Sequence, residues 1–304
     1  MSQRSGRRIA AIGAAHVDRT ARALGPVAMG SSNPVATQDS FGGVAGNVAR
    51  VAARLGADIA FIGLVGDDAA GRAVREALAR EGIDTAGLGV CDAPTGSYTA
   101  FLDADGTLVV ALADMGLYDR MTPGWLDAAG AILDACPIHF ADANLPRETL
   151  AALLGRDKAW LRAVDAVSTA KAPRLSGLPY DLAFLNADEA AVLPYASGRT
   201  DPIHVVTEGA AGLLVHRPNA DPTRIAAAPA KVVDVTGAGD ALIGAALAWL
   251  AEAPVDAPVD TPGKALERAL ARGLIAAAFA IEEPGSLPDR LTRAALDARE
   301  GRET

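Results

Sequence analysis

The sequence predicts an α/β fold in which a mainly parallel central sheet is flanked by helices. Three observations lead to this prediction. Short apolar runs alternate along the chain with helix-length patterns, as parallel βαβ units require. Half of the 304 residues are hydrophobic but only 4% are aromatic, so small aliphatic side chains must fill a sizeable core. Two regions break the alternation, which predicts a second, smaller β-sheet.

The first third of the chain supplies two strands and two helices. Residues 9–13 form a short apolar run, which predicts the first strand. Residues 47–56 predict a helix that ends at Gly56, because glycine is common just past a helix C-terminus. The apolar run 59–65 predicts a second strand, and 67–82 predicts a helix that again ends in glycine.

The rest of the chain repeats this pattern. Further strands are predicted near 138–141, 161–165, 182–186 and 203–207, and further helices over much of 238–251 and 263–281. A Pro- and Asp-rich loop at 252–263 separates the last two helices. We therefore expect one domain spanning 1–304.

The two interruptions lie at 16–41, which has no helical periodicity, and at 95–113. The second reads as two strands joined at Asp105-Gly106, a strong hairpin signal. Together they predict a small β lid, built from about 16–41 and 95–118. Such a sheet would lie over the carboxyl ends of the parallel strands, where α/β proteins bind their ligands.

Composition excludes several classes of function. The net charge of −9 argues against a nucleic-acid polymer as partner, because phosphate backbones are bound by basic surfaces. Cys91 and Cys136 make no disulfide framework, and the four histidines have no zinc-type spacing. The longest apolar run, 241–251, falls short of the ~20 residues that cross a bilayer, so no membrane association is expected. The expected location is the cytoplasm.

The stretch DVTGAGDALIGAAL at 234–247 carries the first chemical motif. Gly237, Ala238 and Gly239 leave the backbone uncrowded, so their N–H groups and the start of the following helix can hold an anion. Asp240 beside that site could accept a proton, which is the pair that phosphoryl transfer needs. The alternative is a tight turn in which Asp240 only caps the helix.

Three weaker clusters precede this motif, and the first of them combines Asp18, Gly42-Gly43 and Asn47. Asp18 follows the first strand, and Gly42-Gly43 permits close approach of the backbone to a ligand. Asn47 could cap a helix or bind a hydroxyl. Each residue on its own is more often a turn or cap residue than a ligand contact.

The other two clusters each follow a predicted strand. In NADE at 186–189, Glu189 could act on phosphates through Mg²⁺ and water, or the segment could only cap a helix. In TEGAAG at 207–212, Thr207 and Gly209 could bind phosphate oxygens, or the segment could be a plain hairpin turn.

Taken together, the motifs resemble the ribokinase-like (PfkB) family of sugar and nucleoside kinases. The resemblance runs from about residue 9 to about 288 and rests on these residues in order: Asp18, Gly42-Gly43, Asn47, Asn186, Glu189, Thr207, Gly209 and the D-x-T-G-A-G-D form at 234–240. It implies an α/β domain with a β-sheet lid, ATP and Mg²⁺ as cofactors, and, as in many members of the family, a monovalent cation such as K⁺. The G-x-G-x-x-G fingerprint of dehydrogenases and the Walker pattern are both absent from the sequence.

The resemblance also implies roles for individual residues. Asp240 resembles the catalytic base, with Gly237, Ala238 and Gly239 as the anion hole. The residues implied to bind the substrate are Asp18, Gly42, Gly43 and Asn47, and those implied to bind the nucleotide are Asn186, Glu189, Thr207, Gly209, Gly212 and Lys171. Glu189 would hold Mg²⁺ through water. Asp234 and Thr236 resemble a monovalent-cation loop, with 282–286 as its second half.

Within the family, the segments 31–34, 41–56, 97–115, 141–146 and 164–171 are similar to pseudouridine kinases. The lid residues Asn33, Ser97 and Asp114 are candidates for the base edge, or else ordinary polar residues of the lid. Ala45-Gly46 replaces a usual Gly-Arg pair, Phe184-Leu185 a usual Lys-Pro, and Ala166 a usual Pro.

The implied function is ATP-dependent phosphorylation of the 5′-hydroxyl of pseudouridine. The alternatives are another sugar or nucleoside kinase, acting on ribose or a purine nucleoside, or a non-catalytic binding protein on the same fold. A homodimer formed through the lid is expected.

Overall fold

The computed structural model describes residues 6–193, 202–252, 262–285 and 287–303, which form two sheets and two layers of helices. The strands are β1 (Ile9–Ile12), β2 (His16–Ala23), β3 (Val35–Gly42), β4 (Ile59–Gly66), β5 (Asp84–Cys91), β6 (Ser97–Leu102), β7 (Leu108–Asp114), β8 (Ile138–Asp142), β9 (Leu161–Asp165), β10 (Leu182–Asn186), β11 (Ile203–Thr207), β12 (Leu213–His216) and β13 (Thr223–Ile225). The helices are α1 (Val44–Arg54), α2 (Ala69–Arg80), α3 (Pro123–Asp127), α4 (Gly130–Asp134), α5 (Arg147–Leu154), α6 (Ala187–Val192), α7 (Ala238–Ala251), α8 (Pro262–Ile281) and α9 (Arg293–Glu303).

The large sheet has nine strands in the order β13-β12-β11-β10-β9-β8-β1-β4-β5. All neighbours from β11 to β5 pair in parallel, and only β12 and β13 add antiparallel strands at one edge. The predicted mainly parallel sheet is therefore confirmed. Its order brings the carboxyl ends of β1, β8, β9, β10 and β11 to one edge.

Helices cover both faces of this sheet, as predicted. Residues of β1 alternate between two cores: Ile9 and Ala11 pack into one, and Ala10 and Ile12 into the other. The first core lies against α1, α2, α7, α8 and α9, and the second against α3, α4, α5 and α6. Every residue of the central strands β1, β4 and β8 is buried, so burial in these strands is continuous rather than alternating.

The small sheet has the order β3-β2-β6-β7 and is the predicted lid. β2 pairs antiparallel with β3 and parallel with β6, and β6 pairs antiparallel with β7. The predicted β6–β7 hairpin is confirmed: Asp103 Oδ1 accepts the N–H groups of Gly106 and Thr107, and Gly106 has φ +98°. This turn needs a left-handed residue, which glycine supplies without strain.

The predicted elements are all present, with shifts at their ends. The first long helix begins at Val44, three residues before its predicted start at 47. β5 is a strand that the sequence pattern missed, because Gly87 and Gly89 interrupt it. Most of the predicted loop 252–263 lies outside the described residues. Among the helices that the structure describes, none is long and apolar enough to cross a membrane.

Candidate active site

The motif that ends in Asp240 forms the start of α7. Gly237 is the N-cap of this helix and adopts a left-handed conformation with φ +75°. Asp240 therefore lies within the first turn, and the interpretation of Asp240 as the helix cap is wrong. Gly237 precedes the 14-residue helix Ala238–Ala251, and the N–H groups at the start of a helix have no acceptor within the helix, which is what an anion site requires. Of these groups, the Ala238 N–H donates to the Val235 oxygen at 3.3 Å.

The side chain of Asp240 is held by a residue far away in sequence. Asn47 Nδ2 donates a hydrogen bond of 2.8 Å to Asp240 Oδ2 across 193 residues. Asn47 does not cap α1, since Gly43 is the N-cap and Asn47 lies in the first turn. Its side chain is 5% exposed, and its Oδ1 has no hydrogen-bond partner within the described part of the chain. Such a buried acceptor is suited to a donor that arrives with a ligand.

The environment of Asp240 makes its carboxylate an unusually strong base. Burial raises the pKa of Asp240 to about 7, and the hydrogen bond from Asn47 opposes that shift. The carboxylates of Asp142 and Asp18 raise this pKa further, while His16 lowers it. A carboxyl group with a pKa near 7 can accept a proton at neutral pH and release it again.

Asp18 lies on β2, and its carboxylate is close enough to Asp240 to raise the pKa of that group. His16 Nε2 lies 3.1 Å from Asp18 Oδ1, and the Asp18 side chain is 29% exposed. Gly42 lies directly against the carboxylate, so a Cβ atom at this position would overlap Asp18 Oδ2. Gly43 has φ +93°, and a Cβ there would overlap the carbonyl oxygen of Ala14. The two glycines are therefore required by close contacts within the chain, and the close approach of a ligand to them stays a prediction.

Replacing Gly42 by alanine should weaken acceptor binding. The added methyl group must displace the Asp18 carboxylate, and a displacement of about 1 Å in a positioned group can lower efficiency by about 10-fold to 100-fold. We expect the KM for the acceptor to rise while the KM for ATP stays unchanged. Steady-state kinetics of Gly42→Ala would test this, with Gly116→Ala, which has open space at its Cβ, as the matched control. Equal changes in both KM values would contradict it.

Asp142 is a site residue that the sequence analysis did not single out. It ends β8, is completely buried, and accepts backbone N–H groups from Ala14 (3.0 Å), Ala45 (3.0 Å) and Asn144 (2.9 Å). A Cβ on Gly13 would lie 2.5 Å from Asp142 Cγ. Asp142 thus ties the end of β1 to the start of α1. An acidic residue directly after a buried strand was the signal for it.

Asp165, at the end of the neighbouring strand β9, was also missed. One of its oxygens accepts the N–H of Val167 at 2.8 Å. Burial raises its pKa well above the usual value, with Asp240 and Glu189 acting in the same direction. Asp240 and Glu189 therefore act on Asp165 through space.

Lys171, which was predicted to bind the nucleotide, lies near the ends of β8 and β9. Its Nζ donates to Asn144 Oδ1, beside the ends of β8 and β9. Burial lowers its pKa, and the carboxylates of Asp142 and Asp119 oppose that shift. Thr207 ends β11, two strands away from β9, so Lys171 is separated from the turn at 207–212, and nucleotide binding by Lys171 stays a prediction.

The predicted phosphate segment forms the start of α6. Asn186 Oδ1 accepts the Glu189 N–H at 2.9 Å, and Glu189 Oε2 accepts the Asn186 N–H at 2.8 Å. This capping box confirms the helix-cap alternative for the local structure. Asn186 also pairs with Thr207 in the β10–β11 register, so both clusters lie at the same edge of the sheet.

The segment 207–212 forms the turn of the β11–β12 hairpin, as the alternative to phosphate binding predicted. Gly209 and Gly212 both have positive φ, and a Cβ on Gly212 would overlap the carbonyl oxygen of Ile225. The Glu208 N–H donates to the Gly212 oxygen at 2.8 Å. The turn and a phosphate-binding role do not exclude each other.

The two halves of the predicted cation loop meet in the structure. Asp234 Oδ1 accepts the Thr236 N–H at 2.9 Å, and Asp234 Oδ2 accepts the Gly285 N–H at 3.1 Å. Burial opposes the shift, but these hydrogen bonds lower the pKa of Asp234. Ser286 of the second half lies outside the described residues. Cation binding itself stays a prediction.

Two of the three lid candidates for the base edge lie on the face opposite Asp18, and the third closes a loop. Asn33 bonds to Ala28 and Ser31 and so closes the β2–β3 loop. Ser97 pairs with Val17 on one side and with Asp114 on the other. Because laterally paired residues share a face and Val17 is offset by one residue from Asp18, Ser97 and Asp114 belong to the opposite face.

Within the described residues, no three His, Cys, Asp or Glu side chains converge as a metal site.

Comparison with known proteins identifies the family of this chain. The model of the pfkB family carbohydrate kinases matches residues 7–292. The chain belongs to this family. The proposed resemblance is therefore confirmed over nearly the whole chain.

Individual relatives of this pfkB family kinase differ in their acceptors. The chain is 32% identical over 241 residues to a fructokinase of Klebsiella pneumoniae, covering 69% of this chain and 76% of that one. It is 28% identical over 263 residues to a pseudouridine kinase of Escherichia coli, covering 80% and 84%. A carbohydrate kinase from Agrobacterium tumefaciens has a similar structure, with a TM-score of 0.82, 32% identity and 97% coverage of both chains.

Proposed function

We propose that this pfkB family kinase transfers the γ-phosphoryl group of ATP to the 5′-hydroxyl of pseudouridine. The observation that carries the proposal is the Asp240 carboxylate in the first turn of α7. It accepts a hydrogen bond from Asn47, and burial raises its pKa to about 7. A base and an anion-binding helix start at one point are the two parts that phosphoryl transfer to a hydroxyl requires.

In this mechanism, Asp240 takes the proton from the acceptor hydroxyl as that oxygen attacks the γ-phosphorus in line. The bond to the bridging oxygen breaks, and ADP leaves with its electron pair. The backbone N–H groups of 237–239 offset negative charge on the transferred group. Asp18 binds the vicinal ribose hydroxyls, and Gly42 and Gly43 let the sugar approach the backbone.

The donor side of the site is formed by the ends of β10 and β11. Asn186 and Glu189 would face the phosphates, and Thr207, Gly209 and Gly212 the rest of the nucleotide. The oxygen-rich set of Glu189 and Asp165 fits Mg²⁺, which binds few carboxylates and keeps water and phosphate ligands. When bound, Mg²⁺ would neutralise charge on the phosphates. Asp234 and Thr236 would hold a monovalent cation such as K⁺.

The choice of pseudouridine is supported by the segments similar to pseudouridine kinases, which include β6 and β7 of the lid. The Escherichia coli pseudouridine kinase also matches more of this chain than the fructokinase does. A second candidate is a sugar such as fructose, because the fructokinase is the more identical of the two.

We also propose that the lid mediates a homodimer. Val110 and Leu112 of β7 are 45% and 62% exposed, and Val35 of β3 is 37% exposed. An exposed apolar strand at the edge of a sheet is suited to pairing with a second copy.

A panel of acceptors tests the proposed function. With ATP and Mg²⁺, we expect ADP to form with pseudouridine at a higher kcat/KM than with uridine, adenosine, ribose or fructose. Because a site built around a nucleoside base loses contacts with a free sugar, the difference should reach about 10-fold or more. Better turnover of fructose would favour the second candidate. If none of the acceptors raises ADP formation above background, the non-catalytic alternative is favoured.

A further inference from the structure

The strand register of the lid identifies which side chains share a face with Asp18. Asp18 of β2 pairs with Tyr98 of β6, and Tyr98 pairs with Ala113 of β7. On the other side, Asp18 pairs with Ser40 of β3. Because laterally paired residues point to the same side of a sheet, these four side chains form one row.

The face that carries this row is turned towards the site. Gly96 lies two residues before Tyr98, and a Cβ on Gly96 would lie 2.9 Å from the Tyr118 hydroxyl. That hydroxyl donates to the Ala15 oxygen at 2.9 Å, at the root of the lid beside His16. The face therefore continues directly into the residues around Asp18.

The other face of the lid is turned towards α2. Val17 and Phe41, which pair with each other, line a cavity together with Ala69 and Ala73 of α2. Ser40 of the Asp18 row also borders this cavity, whereas Tyr98 is not among its lining residues, and the register places Tyr98 with Asp18.

Tyr98 stands among small side chains on this face. Its neighbours are Ala113 across the β6–β7 ladder, and Gly96 and Ala100 two residues away on either side. Tyr98 and Ala100 are half-buried and Ala113 is exposed. One aromatic ring above a shallow patch of alanine and glycine leaves space for a flat group to lie against it.

We propose that Tyr98 selects the acceptor by stacking on the planar base of a nucleoside whose sugar is held by Asp18. This inference rests on the proposed function and assigns the acceptor class to one residue. A pentose without a base would gain nothing from Tyr98, whereas a nucleoside would lose a stacking partner without it.

The test compares the wild type with Tyr98→Ala, Tyr98→Phe and the matched control Thr99→Ala, on the opposite face of the same strand. We expect Tyr98→Ala to lower kcat/KM for pseudouridine and uridine by about 10-fold to 100-fold, mainly through KM, because loss of one base–aromatic stack has effects of this size. The kcat/KM for ribose should stay within about 3-fold. Tyr98→Phe and Thr99→Ala should resemble the wild type. Calorimetric titration of pseudouridine without ATP should show the same weakening in Tyr98→Ala alone.

Several results would overturn the inference. These are equal losses on pseudouridine and ribose, no loss on either, the same pattern in Thr99→Ala, or turnover of free sugars alone by the wild type. Failure of the proposed function is distinguishable. If no acceptor is phosphorylated but pseudouridine binding is weakened only in Tyr98→Ala, the lid assignment holds and phosphoryl transfer does not. If pseudouridine neither binds nor reacts, both are overturned.

Discussion

Replacing Asp240 by asparagine should lower kcat by about 10²-fold to 10⁴-fold, the usual contribution of a positioned general base. The amide keeps the shape of the side chain, and its oxygen can still accept the hydrogen bond from Asn47 Nδ2. The KM values for acceptor and ATP should therefore change little. The measurement is steady-state kinetics with saturating ATP, and Asp127→Asn, in the exposed helix α3, is the control for the same substitution away from the site.

The pH dependence gives this prediction a second readout. Only the ionised carboxylate can accept a proton, so kcat/KM of the wild type should rise with pH through about 7 and then level off. In Asp240→Asn the residual rate should lack this step. An unchanged pH profile in the variant, or near-wild-type kcat, would remove Asp240 as the base.

As the pH rises through about 7, activity should rise, whereas the contribution of Asp240 to stability should fall. The pKa of Asp240 is raised from 3.8 to about 7 in the folded chain, so the folded state binds more protons than the unfolded state between these pH values. Its contribution to the free energy of unfolding is full below pH 4 and is lost as the pH rises through 7. The asparagine side chain of Asp240→Asn does not ionise, so the variant does not lose stability in this way as the pH rises. We expect it to be more stable at pH 8 by on the order of 2 kcal/mol, with a smaller gain at pH 5. Thermal unfolding at the two pH values measures this difference.

The local part of the site was predictable, and the long-range part was not. The proposed anion loop at 237–239 and its carboxylate lie within one short motif, so composition and spacing were enough to single them out. The partner of Asp240 is 193 residues away, and only the fold brings Asn47 to it. For the same reason, the sequence analysis left open whether Asn47 caps a helix or binds a ligand.

The lid shows how register decides between neighbouring residues. Ser97 and Tyr98 are adjacent in sequence, and side chains alternate between the faces of a strand. The hairpin at Asp105-Gly106 could be predicted from its turn residues, but not which face would be turned towards Asp18. A change of register by one residue would exchange the two sets, so polarity alone pointed to Ser97.

Asp142 was missed because its function in the structure is to hold the backbone. Its carboxylate accepts three backbone N–H groups, and the partners Ala14 and Ala45 are 128 and 97 residues away. Neither partner has a side chain that could mark the contact. The only sign in the sequence is an acidic residue directly after the short run Ile138-His139-Phe140-Ala141.

Asp142→Ala should therefore be strongly destabilising. It would leave the N–H groups of Ala14, Ala45 and Asn144 buried without an acceptor, and each such group costs about 1–3 kcal/mol. Since some of these groups would regain partners by relaxation, we expect the free energy of unfolding to fall by about 3–5 kcal/mol in total. Asp134→Asn is the control, because Asp134 pairs with Arg156 and Lys158 at the surface, and the free energy of unfolding should hardly change.

Asp142→Asn separates the structural effect from the effect on the site. Its single oxygen can face Ala14 and Ala45, but the amide group then meets the N–H of Asn144, so a loss of about 1–3 kcal/mol is expected. The variant should still fold, yet the end of β1 and the start of α1 would no longer be fixed to each other. Asp18 and Asn47 follow these two segments, so the KM for the acceptor should rise more than the KM for ATP. Denaturant unfolding, hydrogen exchange at the Ala14 and Ala45 amides, and kinetics on the same preparation would test this. A stable Asp142→Asn with unprotected amides and unchanged kinetics would show that this carboxylate does not position the acceptor side.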